Sequence, residues 1–469
     1  MSKLFAALLT ASAFLGTFTQ ARVLAVNEQF DDPNDNFISQ NEALTDLMNE
    51  PGENAPSVSA TSYILYDSLS GATVMGRNPD EPLEPASTTK IMTILLALEN
   101  LSPDEVVTIT PDMYQELPAD YVTLGLSEGE EATVRDLMYA AMLTSANDAT
   151  LALAIYMGGT QLSFCSMMNQ RALELGCTHT NFVNAYGLAN PSHLTTAADL
   201  ALILEEAVTH PEFCEMATTI SYTMPATNLY DAPRVINNAN RFISTQEYAY
   251  DYYIGGKTGY TDTAGYTLVA AAQKNDRTLI GVILGGTDPN IRFRDMINLF
   301  EYGFTHFTTI PVDYTEFTSI VNSTLEQVNG ALINTDLQVT EYDYLKTLSP
   351  YLTTTSDRVA AGCTNMVELS GQSIDSSNTD QTLELPLCKV FNDGKTYIVG
   401  SLTLRITTRD RVIEMTPEKH SKWDKIKLIC RTVFVITLLI LILIIAFLLF
   451  RRSHRRRLRD EAHKRSRML

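Results

Sequence analysis

Gly265-Tyr-Thr-Leu-Val-Ala-Ala-Ala-Gln-Lys-Asn-Asp-Arg-Thr-Leu-Ile-Gly-Val-Ile-Leu-Gly285 reads as two strand-forming runs around the polar turn Lys274 to Arg277. Apolar runs of this length flanking a short polar turn predict an antiparallel hairpin. Strand chemistry resumes just ahead of it, around Tyr252, and Ile291 to His306 behind it has the apolar spacing of a closing helix. Near the other end of the ordered chain, Tyr63 to Tyr66 and Ala72 to Met75 are strand-like on either side of a turn at Asp67 to Gly71. Between these terminal strands lie Ala86 to Leu101, Val134 to Met157, Phe164 to Leu175 and Thr196 to Val208, all helical in composition. Strands at both ends of a helical middle predict an α+β (α/β) fold, an antiparallel sheet with helices packed on it.

Past Pro311 the texture changes. As far as about Met415 the chain is rich in Thr, Val, Tyr and Leu, with turn residues between short runs, which predicts a small β-rich domain. Arg22 to Pro56 is rich in Asp, Glu and Asn without a sustained apolar period, so it reads as a solvated leader that cannot repay its ordering entropy.

Both termini carry addressing signals. Lys3 precedes an apolar, small-residue run from Leu4 to Phe18, and Thr19-Gln-Ala21 offers small residues at the two positions a signal peptidase reads. Thr432 to Phe450 is an uncharged apolar run that as a helix would extend about 28 Å, close to the hydrocarbon thickness of a bilayer. Arginines 451, 452, 455, 456, 457 and 459 follow at once and predict a cytoplasmic tail. The expected order is therefore a signal peptide (1–21), an acidic disordered leader (22–58), a catalytic domain (59–310), a β-rich domain (311–416), one transmembrane helix (432–450) and a basic tail (451–469).

Charge and cysteine narrow the function. Of the 469 residues 45% are hydrophobic and 19% charged, which excludes wholesale disorder. The net charge is −21; the last nineteen residues carry nine Lys and Arg against Asp460 and Glu461, so the remainder holds −28. An acidic body repels a phosphate backbone and argues against nucleic-acid binding. Of the six cysteines, Cys430 lies at the edge of the apolar run; Cys165, Cys177, Cys214, Cys363 and Cys388 ahead of it form no C-x-x-C pair, and an odd number there is no disulfide framework. A Cys363–Cys388 bridge and free buried thiols both stay open.

Three short motifs carry the chemistry. Ser87-Thr-Thr-Lys90 opens the first helix, where a spacing of three puts both side chains on one face. A serine hydroxyl needs a base to become a nucleophile, and a neutral lysine amine serves. A free lysine has a pKa near 10.4, so a base at neutral pH demands burial or a neighbouring positive charge. Ser145-Ala-Asn147 follows an apolar helical run, and Lys257-Thr-Gly259 lies in a strand. S-x-x-K and S-x-N are weak alone; their order together with K-T-G is the signature shared by β-lactamases and penicillin-binding proteins.

The segments Pro85 to Thr93, Thr144 to Ala149, Asn181 to Leu188, Gly256 to Asp262 and Ile291 to Phe293 resemble those of serine-type D-Ala-D-Ala carboxypeptidases, the low-molecular-mass penicillin-binding proteins. The resemblance covers about Ser62 to Phe307 and implies a penicillin-binding/β-lactamase-like fold. It implies that Ser87 attacks the carbonyl between two terminal D-alanines of a peptidoglycan stem peptide and that Lys90 takes the serine proton. Ser145 and Asn147 would continue the proton path and hold the substrate backbone. Lys257, Thr258 and Arg292 would receive the substrate carboxylate region, and the N–H groups of Ser87 and Tyr260, beside Gly259, would form the oxyanion hole. The implied partners are stem peptides and, as covalent inhibitors, β-lactams; no cofactor is implied. Two departures stand out: Ala146 where relatives often have Gly, and Tyr260 where His is common.

Three rival readings remain at this level. A β-lactamase shares the acylation step, but no Glu-x-x-x-Asn lies between Asn147 and Lys257. A zinc peptidase would need more than His193 and Asp199, since no H-x-x-E-H or similar cluster surrounds them, and His193 reads instead as a structural hydrogen-bonding histidine. A membrane-bound β-lactam receptor would have to signal through a tail of nineteen residues. The expected location is the plasma membrane, single-pass, with the catalytic domain on the cell-wall side.

Overall fold

The computed structural model describes residues 55–114, 117, 121–344, 350–369, 373–375 and 377–408, with the backbone of 25–26 and 37–38. The expected signal peptide, transmembrane helix and basic tail lie outside the described residues, as does most of the leader. Among the described residues no single helix is long and apolar enough to cross a membrane. Residues 336–338 and 407–469 cluster as a second compact unit, of which only 336–338 and 407–408 are described.

The hairpin forms as read and anchors the main sheet. Strands β1 (Ser62–Asp67), β2 (Ala72–Arg77), β3 (Tyr253–Thr261), β4 (Gly265–Lys274) and β5 (Arg277–Gly286) make an antiparallel sheet in the order β2-β1-β5-β4-β3. Asn275 and Asp276 close the β4–β5 turn, both at positive φ (52° and 62°), the geometry of the tight hairpin turns that match strand twist. The first and last parts of the catalytic region meet where Ile64 pairs with Val282.

Both faces of this sheet are covered, which explains why β4 and β5 read as nearly continuous apolar runs. Side chains alternate between two cores, as the pleat requires. Val269 and Ala271 face the helical middle, while Leu268, Ala270 and Ala272 face the opposite helix. That helix, Ile291–His306, packs Phe293, Met296, Leu299 and Phe300 onto the sheet.

The helical middle contains α1 (Lys90–Asn100), α2 (Val134–Leu143), α3 (Asn147–Gly158), α4 (Gln161–Glu174) and α5 (Ala197–Ala207). Helix α1 runs through the centre, with every residue from Lys90 to Ala97 buried. Each of its buried Ile or Leu side chains contributes about 1.5–3 kcal/mol relative to exposure. The single helix expected over Val134 to Met157 is in fact two. The chain breaks at Thr144 to Ala146, where Ser145 takes a φ of 62°, and α3 starts afresh at Asn147. Composition cannot show this break, because the residues on both sides are equally apolar.

Beyond the catalytic region, Phe307–Pro311 pairs with Tyr351–Thr355, and Thr396–Thr408, Asp380–Phe391 and Cys363–Val367 are consecutive strands of another sheet. This part is not β alone. Thr318–Ala331 is a helix of 14 residues burying Ile320, Val321, Thr324 and Val328, a helical spacing that the strand-like composition concealed. Two short runs of the leader depart from a wholly solvated segment: Ala25–Val26 and Phe37–Ile38 pair in parallel with Ser373–Ile374 and with Thr396 and Tyr397. The five cysteines among the described residues are free thiols. Met366, not Cys363, stands opposite Cys388, so the register offers no bridge between them.

Candidate active site

Ser87 sits in a short 3-10 turn, Ala86–Thr89, that leads directly into α1. Ala86 before it has a φ of 51°, a left-handed conformation that side chains with a Cβ rarely adopt. Two glycines allow the turn to be this crowded. A Cβ on Gly187 would come 1.9 Å from the Ala86 carbonyl oxygen, and one on Gly259 would come 2.8 Å from the Ser87 nitrogen. The third motif thus presses its backbone against the backbone N–H of the serine.

Lys90, one helical turn on, is fully buried and makes three short contacts. Its Nζ donates to Asn147 Oδ1 at 2.7 Å and to the Tyr186 carbonyl at 2.7 Å, and lies 3.0 Å from Ser87 Oγ. Burial holds its amine well below the usual lysine range, and the positive charge of Lys257 adds to the effect. The geometry suits the neutral form. Two N–H groups point at fixed acceptors, and the nitrogen lone pair is left to face the Ser87 hydroxyl.

Each acceptor is itself held. Asn147 donates from Nδ2 to the Val122 carbonyl at 3.0 Å, and its own backbone N–H reaches the same oxygen at 2.8 Å. The Tyr186 carbonyl is presented by a turn that Asn184 organises, its Oδ1 accepting from the N–H groups of Gly187 and Leu188 at 2.7 and 2.9 Å. Ser145 Oγ is buried and hydrogen-bonds to no described residue. A buried hydroxyl without a partner calls for an explanation, and a role with substrate supplies one.

Lys257 on β3 is buried behind Thr258 and donates to the Thr258 carbonyl at 3.2 Å. Burial, with the charge of Arg292, pushes its ammonium down to about 7. Thr258, Gly259, Tyr260 and Arg292 join Ser87, Ser145 and Asn147 along a cleft of about 720 Å³. Tyr260 is half exposed, stacks on Tyr266 with ring centroids 4.4 Å apart, and donates to Asp262 at 2.8 Å.

Seven of the nine residues expected from the sequence line this cleft, with Lys90 buried behind Ser87 and Lys257 buried beside Thr258, but Arg292 has a further task. Its Nη1 donates to the carbonyls of Gly259 and Thr267 at 2.8 and 2.7 Å, and Nε donates to Pro289. It staples β3 to β4 beside the site, and burial pushes its guanidinium down to about 10. Three contributors were missed in the sequence: Asp148, the Tyr186 carbonyl and Thr89 as the partner of the hydrogen-bonding His193. Asp148 and Tyr186 fall inside the quoted motif segments, but nothing in residue type says where a carbonyl points. The zinc reading fails on His193, whose two ring nitrogens are committed to Thr89 and Val183. Among the described residues, Glu99, Glu206 and His210 do lie close together, yet Arg171 already pairs with both carboxylates at 2.7 Å.

A serine at a helix start with a buried lysine one turn later, a second-motif asparagine on that lysine and a K-T-G strand alongside define a serine hydrolase of the penicillin-binding type. The sequence model of the D-alanyl-D-alanine carboxypeptidase family matches residues 49–288, just over half of the chain, and the chain belongs to that family. It is 37% identical over 278 residues to D-alanyl-D-alanine carboxypeptidase DacC of Escherichia coli, covering 57% of this chain and 67% of that one. It is 31% identical over 255 residues to DacF of Bacillus subtilis, covering 54% of this chain and 64% of that one. The matched segment thus spans about two thirds of these relatives. Among solved structures, a mutant of the Streptomyces K15 DD-transpeptidase is similar with a TM-score of 0.50 and 32% identity, covering 53% of this chain and 99% of that chain. DacD of Francisella tularensis, at 22% identity, shares the fold with a TM-score of 0.59 over 76% of this chain and 96% of its own.

Proposed function

We propose that this enzyme removes the terminal D-alanine from peptidoglycan stem peptides through an acyl-enzyme on Ser87. The observation that carries the reading is the environment of Lys90 Nζ, whose two fixed acceptors leave its lone pair for the serine. In the first step the Ser87 proton passes to Lys90 while Oγ bonds to the carbonyl carbon, and the carbonyl electron pair moves onto oxygen. The N–H groups of Ser87 and Tyr260 receive that oxyanion, a contribution of about 3–4 kcal/mol per donor in comparable sites. On collapse the C–N bond breaks and Lys90 returns its proton, through Ser145 Oγ, to the departing D-alanine amine. A water molecule then gives a proton to Lys90 and attacks the ester, and Ser87 regains its hydroxyl. Lys257 and Thr258 receive the substrate carboxylate, with Arg292 helping from the far side of Gly259.

The β-lactamase and receptor readings are not favoured. Among the described residues lining the cleft the one carboxylate is Asp262, exposed and engaged by Tyr260, so no glutamate stands by to activate water on a penicillin adduct. We place the enzyme on the outer face of a bacterial plasma membrane, with residues 1–21 removed and Thr432 to Phe450 as the anchor. What supports this is the nineteen-residue apolar run between flanking lysines and a basic tail.

The test uses the full-length protein in detergent, a fluorescent penicillin and a pentapeptide stem followed by mass spectrometry. Wild type should hold the label for minutes while releasing one D-alanine, and Ser87→Ala should carry none. A label retained in Ser87→Ala overturns the nucleophile, and penicillin turnover within seconds moves the enzyme to the β-lactamases.

A further inference from the structure

We infer that His193 is a positioning residue for the nucleophile: through Thr89 it fixes the strained Ala86 backbone that aims Ser87, and it does so as the neutral ring protonated on Nε2. The inference rests on Ser87 being the nucleophile.

The polarity of one hydrogen-bond chain settles the tautomer. The Val183 backbone N–H donates to His193 Nδ1 at 3.0 Å, so Nδ1 carries the lone pair. In the neutral ring the proton is then on Nε2, which lies 2.8 Å from Thr89 Oγ1. Thr89 in turn donates its hydroxyl proton to the Ala86 carbonyl at 2.8 Å. Three donors and three acceptors pair with none left over, and every member from Thr89 onward is buried.

The chain ends at the atom where the turn is most strained. Ala86 is left-handed, and its carbonyl oxygen is wedged against Gly187. A residue held in such a conformation persists only if its surroundings over-determine it. The Thr89 hydroxyl does this from one side and the backbone of Gly187 from the other. His193 belongs to the same loop that supplies Gly187 and the Tyr186 carbonyl, closed at its base by the paired backbones of Asn181 and Leu194. One imidazole therefore ties the loop that orients Lys90 to the turn that orients Ser87, residues 104 positions apart in the case of His193 and Thr89.

A second proton on the ring would break this arrangement, because Nδ1–H would face the Val183 N–H, donor against donor. Burial pushes the imidazole down to about 4 and keeps it neutral. The neighbouring ring is Phe182, tilted 55° with centroids 5.7 Å apart, which excludes water without offering a charge.

A merely structural histidine would be needed for folding and for nothing else, and the two amide replacements separate the cases. His193→Asn keeps an acceptor near Val183 but cannot reach Thr89; His193→Gln extends an amide N–H to the Thr89 end. The rate of acylation by a fluorescent penicillin and the unfolding midpoint should be measured on the full-length protein. We expect His193→Asn to acylate about 10- to 100-fold more slowly, the scale of a misplaced reacting group. His193→Gln should recover to within about fivefold of wild type. Thr89→Val should match His193→Asn, and the double variant should be no slower than either single, since both cut one chain. Equal loss in Asn and Gln that follows the unfolding midpoint, or effects that multiply in the double variant, would overturn the inference. If His193→Asn does not fold, Thr89→Val decides alone, because it is nearly isosteric; acylation at the wild-type rate would overturn it. Ser87→Ala run alongside keeps the readings apart. Its loss of label with wild-type rates in the others removes only the positioning role, while a label retained in it removes the nucleophile and this inference with it.

Discussion

The Asp148 carboxylate grips the backbone of Leu126: Oδ2 accepts its N–H at 3.0 Å and that of Gly125 at 2.9 Å, while Oδ1 takes Leu124 at 2.8 Å. One buried side chain thus shapes the loop whose Val122 carbonyl receives both N–H donors of Asn147, the residue that in turn holds Lys90.

Removing that carboxylate should damage stability and catalysis together. Asp148→Ala leaves three loop N–H groups without their acceptor, a loss of about 1–3 kcal/mol or more. Acylation by penicillin should fall about tenfold or more as Asn147 loses its fixed partner. Asp148→Asn should rescue little, because its NH2 sets a donor against donors. An Asp148→Ala protein with unchanged melting and acylation would remove the loop from the machinery.

Arg292 should serve two substrates unequally. Its bonds to Gly259 and Thr267 support the strand whatever the substrate, so Arg292→Ala should cost about tenfold in kcat/KM even on an amidated peptide. A free carboxylate adds a charge-assisted contact of about 1.5–3 kcal/mol, which should raise the loss to about 100- to 1000-fold. Arg292→Lys should not restore either value, since a single ammonium does not reproduce the planar fork. An amidated substrate indifferent to the change would return Arg292 to carboxylate binding alone.

Lys257 predicts a pH limb of definite sign. Its ammonium is pushed down to about 7, so the free enzyme carries that charge below pH 7 and loses it above. The kcat/KM for a carboxylate substrate should therefore decline above about pH 7, since this parameter reports the free enzyme. Lys90, the base, is likewise held well below the usual lysine range by burial and by the charge of Lys257. Lys257→Arg, which stays charged, should flatten the limb whatever its absolute activity. A kcat/KM still rising at pH 9 in wild type would refute the assignment.

Topology gives the last prediction. Protease added to intact protoplasts should degrade the Ser62 to Met415 body and spare only a short C-terminal fragment. Protection of the body would place it on the cytoplasmic side and remove a peptidoglycan substrate.

Residue order alone was enough for the antiparallel hairpin from Gly265 to Gly285, the helical middle and the three motifs. Each rests on local periodicity or on side chains one helical turn apart, which a single strand of sequence encodes. The helix at Thr318–Ala331 was legible too, at Ile320, Thr324 and Val328, but its β-branched composition argued the other way. Other features depended on contacts between residues far apart. Ser145 breaks the helix expected over Val134 to Met157 with a φ of 62°, and although Thr144, Ser145, Asn147 and Asp148 are polar there, residue type alone does not say that the backbone turns left-handed at Ser145. Lys90 finds Asn147 and the Tyr186 carbonyl 57 and 96 positions away, and Arg292 turns its guanidinium onto two backbone carbonyls. A hydrogen-bonding side chain in sequence has many potential partners; only the packed chain, which leaves buried polar groups few choices, selects among them.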